Sequence, residues 1–315
     1  MPISLLYIPA SIVLFYFGAS YLLKGASALA LKTGISPFVT GLTAIAFGIS
    51  TPALLTNINL SFSGVGSMAI GNVIGSNLFN ICIIAGIAAI IGPVKLKSQI
   101  IRYATIFLAA STLLFVVLFS DRQISAVEGF LLLAALILYI ILIFISDRKL
   151  NKTEIQDQFS ENFGSPDYKW YRSAGSMIAG SAMLLAGALL IVPGAQMLAV
   201  KLGVGPATMG LTAVAVSTGI PLLAIALAAS IRKQHDILLG TVIGASIFNI
   251  LASTGISALV KPLLAMAISR IDLYFMLGIS LLLTPFVKSS YVLKRDEGIF
   301  MAGLYVIYMY YLWPK

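Results

Sequence analysis

Apolar residues run along this chain in long blocks, interrupted by Gly, Pro and small clusters of charge. Ten blocks read as membrane segments: Ile3–Leu23, Pro37–Phe62, Ser67–Ile91, Tyr103–Ser120, Ser125–Ile145, Ser173–Val200, Pro206–Ile231, Ile237–Val260, Leu273–Val287 and Ile299–Trp313. A helical span needs about 20 apolar residues. The second, third, sixth and seventh blocks exceed that, so tilted, bent or broken helices are expected there. The second and seventh carry a proline in a polar setting, Gly48-Ile49-Ser50-Thr51-Pro52 and Ser217-Thr218-Gly219-Ile220-Pro221. Interruptions are expected at both, because proline lacks a backbone donor and clashes with the preceding turn. Between the fifth and sixth blocks lies a polar stretch, Asp147–Tyr171, which holds five acidic side chains.

One pattern occurs twice. GLTAIAFGISTPALL and AIGNVIGSNLFNI, within Gly41–Ile81, return as GLTAVAVSTGIPLLA and LLGTVIGASIFNI, within Gly210–Ile250. Gly41 corresponds to Gly210, Pro52 to Pro221, Gly71 to Gly240 and Asn80 to Asn249, each 169 residues apart. The same offset links Gly34 to Gly203 and Pro37 to Pro206. Each half holds five segments. An odd number makes the second half enter the membrane from the opposite side, so the repeats are inverted. The expected fold is an all-α membrane protein of ten transmembrane helices in two inverted five-helix repeats. Residues 1–146 form the first, 147–171 the linker and 172–315 the second.

Composition places the chain in a bilayer: 59% of its 315 residues are hydrophobic and 10% charged, with mean hydropathy +1.02. The net charge of +9 does not indicate a nucleic-acid partner, because the basic residues fall between apolar blocks. They set topology and meet anionic lipid headgroups. Fifteen of the 20 Lys and Arg residues lie in alternate loops that include the linker. By the positive-inside rule the linker is cytoplasmic and both termini are outside. With Lys24 the first basic residue, the first block is expected to be a retained helix rather than a cleaved signal. The single cysteine, Cys82, excludes an internal disulfide framework. No phosphate-binding Gly-rich loop with Lys marks an ATPase. The one histidine, His235, lies in a basic loop, so no hydrolytic site is expected and the chain is not read as an enzyme.

The core repeats carry hydroxyls and amides at membrane depth. Ser50, Thr51, Ser217 and Thr218 flank the two prolines. Gly71-Asn-Val-Ile-Gly75 and Gly240-Thr-Val-Ile-Gly244 are GxxxG faces, suited to close helix packing. That packing is expected to bring the following turn, with Ser76, Asn77 and Asn80 or with Ser246 and Asn249, against the broken helix of the same repeat. Such buried polar groups need partners. They either glue helices together or form a site.

These motifs resemble those of the sodium/calcium exchanger family, within the cation/calcium antiporter superfamily. Its alpha repeats read roughly G-T-S-x-P-E followed by G-N-x-x-G-S-N-x-x-N/D. The resemblance implies an ion site where the two broken helices meet the helices that follow them. Carried over by position, its members here are Ser50, Ser76, Asn80, Thr218 and Asn249, with the backbone carbonyls of Ala46 and Ala215. Thr51, Asn57, Asn77, Ser217 and Ser246 are further candidates. The family's two calcium-coordinating glutamates are replaced by Ala53 and Leu222. Glu128 and Asp272, the acids nearest apolar blocks outside the repeats, are expected to be solvated or interfacial.

Calcium takes 6–8 oxygens, usually including carboxylates, so its transport is doubtful here. A monovalent ion can be held by hydroxyls, amides and carbonyls. The expected function is secondary transport by a cation antiporter working by alternating access, with sodium as the leading ion and no cofactor. The alternatives are an exchanger-fold transporter of a neutral or anionic solute, or a non-transporting membrane scaffold.

Overall fold

The structure, a computed structural model, describes residues 2–95, 101–147, 170–201, 203–290 and 292–313. Most of the polar linker, residues 148–169, lies outside the described residues. Among the described residues, ten long helices follow one another. They are α1 (Pro2–Thr33), α2 (Pro37–Phe62), α3 (Gly66–Ile91), α4 (Ile101–Leu118) and α5 (Ala126–Asp147), then α6 (Trp170–Lys201), α7 (Pro206–Ile231), α8 (His235–Val260), α9 (Arg270–Ser290) and α10 (Arg295–Leu312). Among the described residues, nine are long and apolar enough to cross a membrane. The exception, α10, opens on three charged residues, Arg295, Asp296 and Glu297.

The repeat is visible in the punctuation between helices. Both α1 and α6 have 32 residues and are followed by a left-handed glycine, Gly34 and Gly203, each at φ 70°. Only a residue without Cβ takes that conformation without strain, and it ends a helix by turning its last carbonyls aside. Proline then opens the next helix, Pro37 or Pro206, where its missing N–H costs nothing. The first sequence segment was expected to stop at Leu23. The helix instead continues to Thr33, since the small apolar run Gly25–Ala30 packs rather than turns.

Two short antiparallel ladders fix which loops share a face. Strand β1 (Val94–Lys95) pairs with β4 (Val292–Leu293), joining the loops α3–α4 and α9–α10. Strand β2 (Gln123–Ile124) pairs with β3 (Leu263–Leu264), joining α4–α5 and α8–α9. Val94 and Leu263 differ by 169 in number, as do Ile124 and Leu293, so each ladder is the repeat image of the other. These loops alternate between faces as the inverted plan requires.

The expected interruptions at Gly48–Pro52 and Ser217–Pro221 are not found. The α-helix runs unbroken through Pro52 from Ala46 to Phe62, and through Pro221 from Ala215 to Ile231. The irregularity lies about two turns earlier, as π-helical turns at Gly41–Ile45 and Gly210–Val214. Similar turns occupy Phe79–Ala85 in α3 and Asn249–Ser253 in α8. A π-turn inserts one residue and re-aims the side chains after it, and such turns concentrate at functional sites.

The partner of each GxxxG face also differs from expectation. A Cβ on Gly71 or Gly75 would overlap the backbone of Ala207–Leu211 in α7, and one on Gly240 or Gly244 would overlap Phe38–Leu42 in α2. Each face therefore packs on the opposite repeat. The halves interlock instead of folding side by side.

At the start of α2, Ser36 caps the helix by accepting from the Val39 N–H at 3.3 Å, while its own N–H donates to the Asp147 carboxylate at 3.1 Å. Asp147 is buried at the end of α5. Replacing it with Ala leaves a buried donor unpaired and is expected to cost about 1–3 kcal/mol. Thermal unfolding in detergent should show this loss for Asp147→Ala and a smaller one for Asp147→Asn, which keeps an acceptor. Equal stability of Asp147→Ala and the natural chain would remove this tie from the account.

Candidate functional site

A small central cavity lies where α2, α3, α7 and α8 cross. Its walls are Ile49, Ser50, Ala53, Ser76, Asn80, Thr218, Gly219, Leu222, Ala245 and Asn249. These ten residues are five pairs at the repeat offset: Ile49 with Thr218, Ser50 with Gly219, Ala53 with Leu222, Ser76 with Ala245, and Asn80 with Asn249. The cavity therefore sits on the pseudo-twofold axis. Its volume is about 10 Å³, enough for the centre of one water-sized species.

The five residues named first from the sequence, Ser50, Ser76, Asn80, Thr218 and Asn249, are brought together around this cavity. All are at most 5% exposed. Among the described residues, the Ser50 hydroxyl and the Asn249 side-chain oxygen Oδ1 have no hydrogen-bond partner. Leaving such atoms dry and unpaired is costly, roughly 1–3 kcal/mol each. Neither Ala53 nor Leu222, 5% and 3% exposed, has a polar side-chain atom. Among the described residues there is no cluster of His, Cys, Asp or Glu that could hold a metal ion.

The other candidates are placed differently. Neither Ala46 nor Ala215 is in the cavity wall, and the Ala215 carbonyl accepts from the Thr218 hydroxyl at 3.2 Å. Ser246 accepts from the Asn80 amide at 3.4 Å, behind the wall. The Thr51 hydroxyl turns back to the Phe47 carbonyl, 3.0 Å, on a more exposed face. Ser217 bonds to its own helix through the carbonyls of Ala213 and Val214, and Asn77 does so through Val73 at 2.7 Å. Such back-bonding satisfies the side chain locally and takes it away from a ligand. Asn57 is fully buried beyond the cavity, while Asn59 lines a separate open cleft of about 770 Å³ bounded by Pro52, Val65, Val192, Gln196 and Met209.

Sequence reasoning passed over two residues. Asn72 Nδ2 donates to Asn57 Oδ1 at 2.7 Å, and Asn72 Oδ1 accepts from Ser76 at 3.2 Å and from Thr218 at 3.1 Å. Ser253 accepts from the Asn57 amide at 2.7 Å. The available signal was asymmetry, since the repeat partners of Asn57, Asn72 and Ser253 are Ala226, Thr241 and Ile84. The two outlying acids also depart from expectation in part. Asp272 is not solvated: it is buried, with one oxygen bonded to the Tyr308 hydroxyl at 2.9 Å and the other to the Ser269 N–H at 2.9 Å. Glu128, half-buried, caps α5 through the Ser125 N–H at 2.7 Å.

Comparison with known proteins gives one consistent answer. The sequence model of the family described as sodium/calcium exchanger protein matches residues 3–145 and 172–313. The sodium/calcium exchanger MaX1 of Methanosarcina acetivorans is 28% identical over 329 residues, covering 93% of each chain. The inner membrane protein YrbG of Escherichia coli is 28% identical over 312 residues, covering 96% of this chain and 95% of its own. A solved structure of the sodium-calcium exchanger NCX_Mj, soaked with sodium and strontium, superposes with TM-score 0.81 at 27% identity, covering 98% of both chains.

Proposed function

The chain belongs to the sodium/calcium exchanger family, and from that membership we propose that it is a secondary transporter moving a monovalent cation, sodium first, by alternating access. The observation that carries this reading is the axial cavity walled by five repeat-related residue pairs with neutral oxygens alone. A site on the axis is shared by both halves, so it is reached from either face when the halves rock against each other. Neutral hydroxyl and amide oxygens replace the hydration of a singly charged ion. A doubly charged ion pays a much larger desolvation cost, and Ala53 and Leu222 return none of it as charge. The relatives' names associate them with sodium and calcium. In this chain the sodium half of that exchange is the part its residues support.

The Lys and Arg asymmetry orients the molecule in a plasma membrane with residues 147–171 cytoplasmic and both termini outside. In that orientation the large cleft beside Asn59 and Gln196 opens outward, above the cavity.

Flux in proteoliposomes tests the reading. Radiolabelled sodium should exchange across vesicles carrying the protein and not across empty ones. Radiolabelled calcium, driven by an opposing sodium gradient, should stay at the empty-vesicle level. Calcium uptake as fast as sodium exchange would overturn the neutral-site argument. Absence of sodium flux alongside uptake of a neutral or anionic solute would favour the alternative occupant.

A further inference from the structure

The axial cavity is symmetric in position but not in polarity. On one side, Asn72 Oδ1, Ser76 Oγ and Thr218 Oγ1 form a triangle with edges of 3.1, 3.2 and 3.4 Å. Ser76 and Thr218 belong to the cavity wall, and Asn72, outside the wall, accepts from both hydroxyls. All three are at most 5% exposed. On the opposite side the repeat partners are Thr241, Ala245 and Ile49. Thr241 turns its hydroxyl to the Ile237 carbonyl at 2.7 Å, so no such triangle exists there.

The direction of the Asn72 amide is set from outside the cavity. Its nitrogen donates to Asn57, whose own nitrogen donates to Ser253. This relay of buried side chains leaves Oδ1 of Asn72 as the atom aimed at Ser76 and Thr218. The protons also balance. Thr218 has a second acceptor in the Val214 carbonyl at 2.9 Å. If its proton turns there, Asn72 Oδ1 keeps the Ser76 proton on one lone pair and frees the other. The oxygens of Ser76 and Thr218 then also carry free lone pairs. Oxygens about 2.3–2.6 Å from a calcium-sized ion lie about 3.3–3.7 Å apart on adjacent octahedral corners. Sodium has nearly that radius. The triangle reaches this spacing by opening a few tenths of an ångström.

We propose that Asn72 is a cation ligand in this chain, held in place by the positioning residues Asn57 and Ser253. Together with Ser76 and Thr218 it forms a one-sided, neutral sodium site. The proposal rests on the sodium-transport reading above. It adds to that reading a ligand outside the symmetric wall and a side on which the ion sits.

Equilibrium binding of radiolabelled sodium to the full chain in detergent separates the two. In Asn72→Leu, sodium affinity should fall at least tenfold, and in Asn57→Leu it should fall in the same direction by less. Asn72→Asp, which keeps the oxygen and adds charge, should bind sodium more tightly than the natural chain. A residue that only packs would not be rescued this way, because aspartate loses the donor to Asn57. Natural affinity in Asn72→Leu, with loss in Asn80→Leu or Asn249→Leu, overturns the proposal and leaves the transport reading standing. No sodium binding by the natural chain overturns both. If Asn72→Leu does not fold, Asn72→Asp decides: unchanged or weaker binding rejects the ligand role.

Discussion

The double substitution Ala53→Glu with Leu222→Glu is expected to give this protein a calcium site. The two positions face one cavity, so two carboxylates placed there would meet across the pseudo-twofold axis. Calcium takes 6–8 oxygens, and the wall already presents side-chain oxygens from Ser50, Ser76, Asn80, Thr218 and Asn249. Two glutamates add up to four more and the charge the neutral wall cannot supply. Leu222→Glu is close to a volume-conserving change. Ala53→Glu is not, and it needs the about 10 Å³ cavity to open. Without calcium the variant carries two buried, mutually repelling carboxylates, for which a penalty of about 3–5 kcal/mol is expected. With calcium at a hundred times its dissociation constant, about 2.7 kcal/mol returns by mass action. Thermal unfolding in detergent, titrated with calcium, should therefore show a low midpoint that rises steeply for the double variant and a flat response for the natural chain. A natural chain stabilised by calcium would refute the neutral-site argument. A destabilised double variant blind to calcium would show that the cavity itself no longer fits the ion.

Much of this architecture was legible because duplication leaves an arithmetic trace. The offset of 169 links Pro52 to Pro221 in the sequence, and in space it pairs the residues around the cavity, such as Asn80 with Asn249. What could not be read depends on forces that act across the fold. A proline reads as a helix break because it lacks a donor, yet α2 and α7 stay α-helical through both prolines. The real irregularities, the π-turns at Gly41–Ile45 and Gly210–Val214, have no residue signature comparable to proline. A GxxxG face tells that a helix will come close without telling which one. Asp272 reads as an interfacial acid until Tyr308, from α10, closes over it. Asn72 was hidden for another reason. Its place inside Gly71–Gly75 suggests packing, and only its contacts with Asn57, Ser76 and Thr218 reveal it as the hub of the polar side.

Adding one methyl group at Gly75 or Gly244 is expected to be among the most damaging single changes in the chain. A Cβ at Gly75 would overlap the Leu211 carbonyl and the Ala215 side chain, and one at Gly244 would overlap the Leu42 carbonyl. These obstacles are mostly backbone, which cannot swing away as a flexible side chain does. Overpacking usually costs about 1–3 kcal/mol, and with backbone on the other side the cost should reach or exceed the top of that range. Function should suffer further. Ser76 is the residue after Gly75, and Asn80 and Asn249 follow their glycines by five residues in the same helices. Forcing the crossing apart moves these oxygens off the axis, so sodium exchange should drop more than tenfold even in variants that still fold. Gly278→Ala is the control, since nothing lies within 4 Å of its added Cβ. In an exposed helix it should be neutral or stabilising by about 0.5–1 kcal/mol. The interlock adds a sharper demand. Because Gly75 in the first half packs on α7 and Gly244 in the second half packs on α2, neither half can loosen alone. Each variant should therefore unfold in a single transition at a lower temperature. Two separated transitions, or a Gly75→Ala protein as stable and active as the Gly278→Ala control, would show that the crossing has more room than its geometry allows.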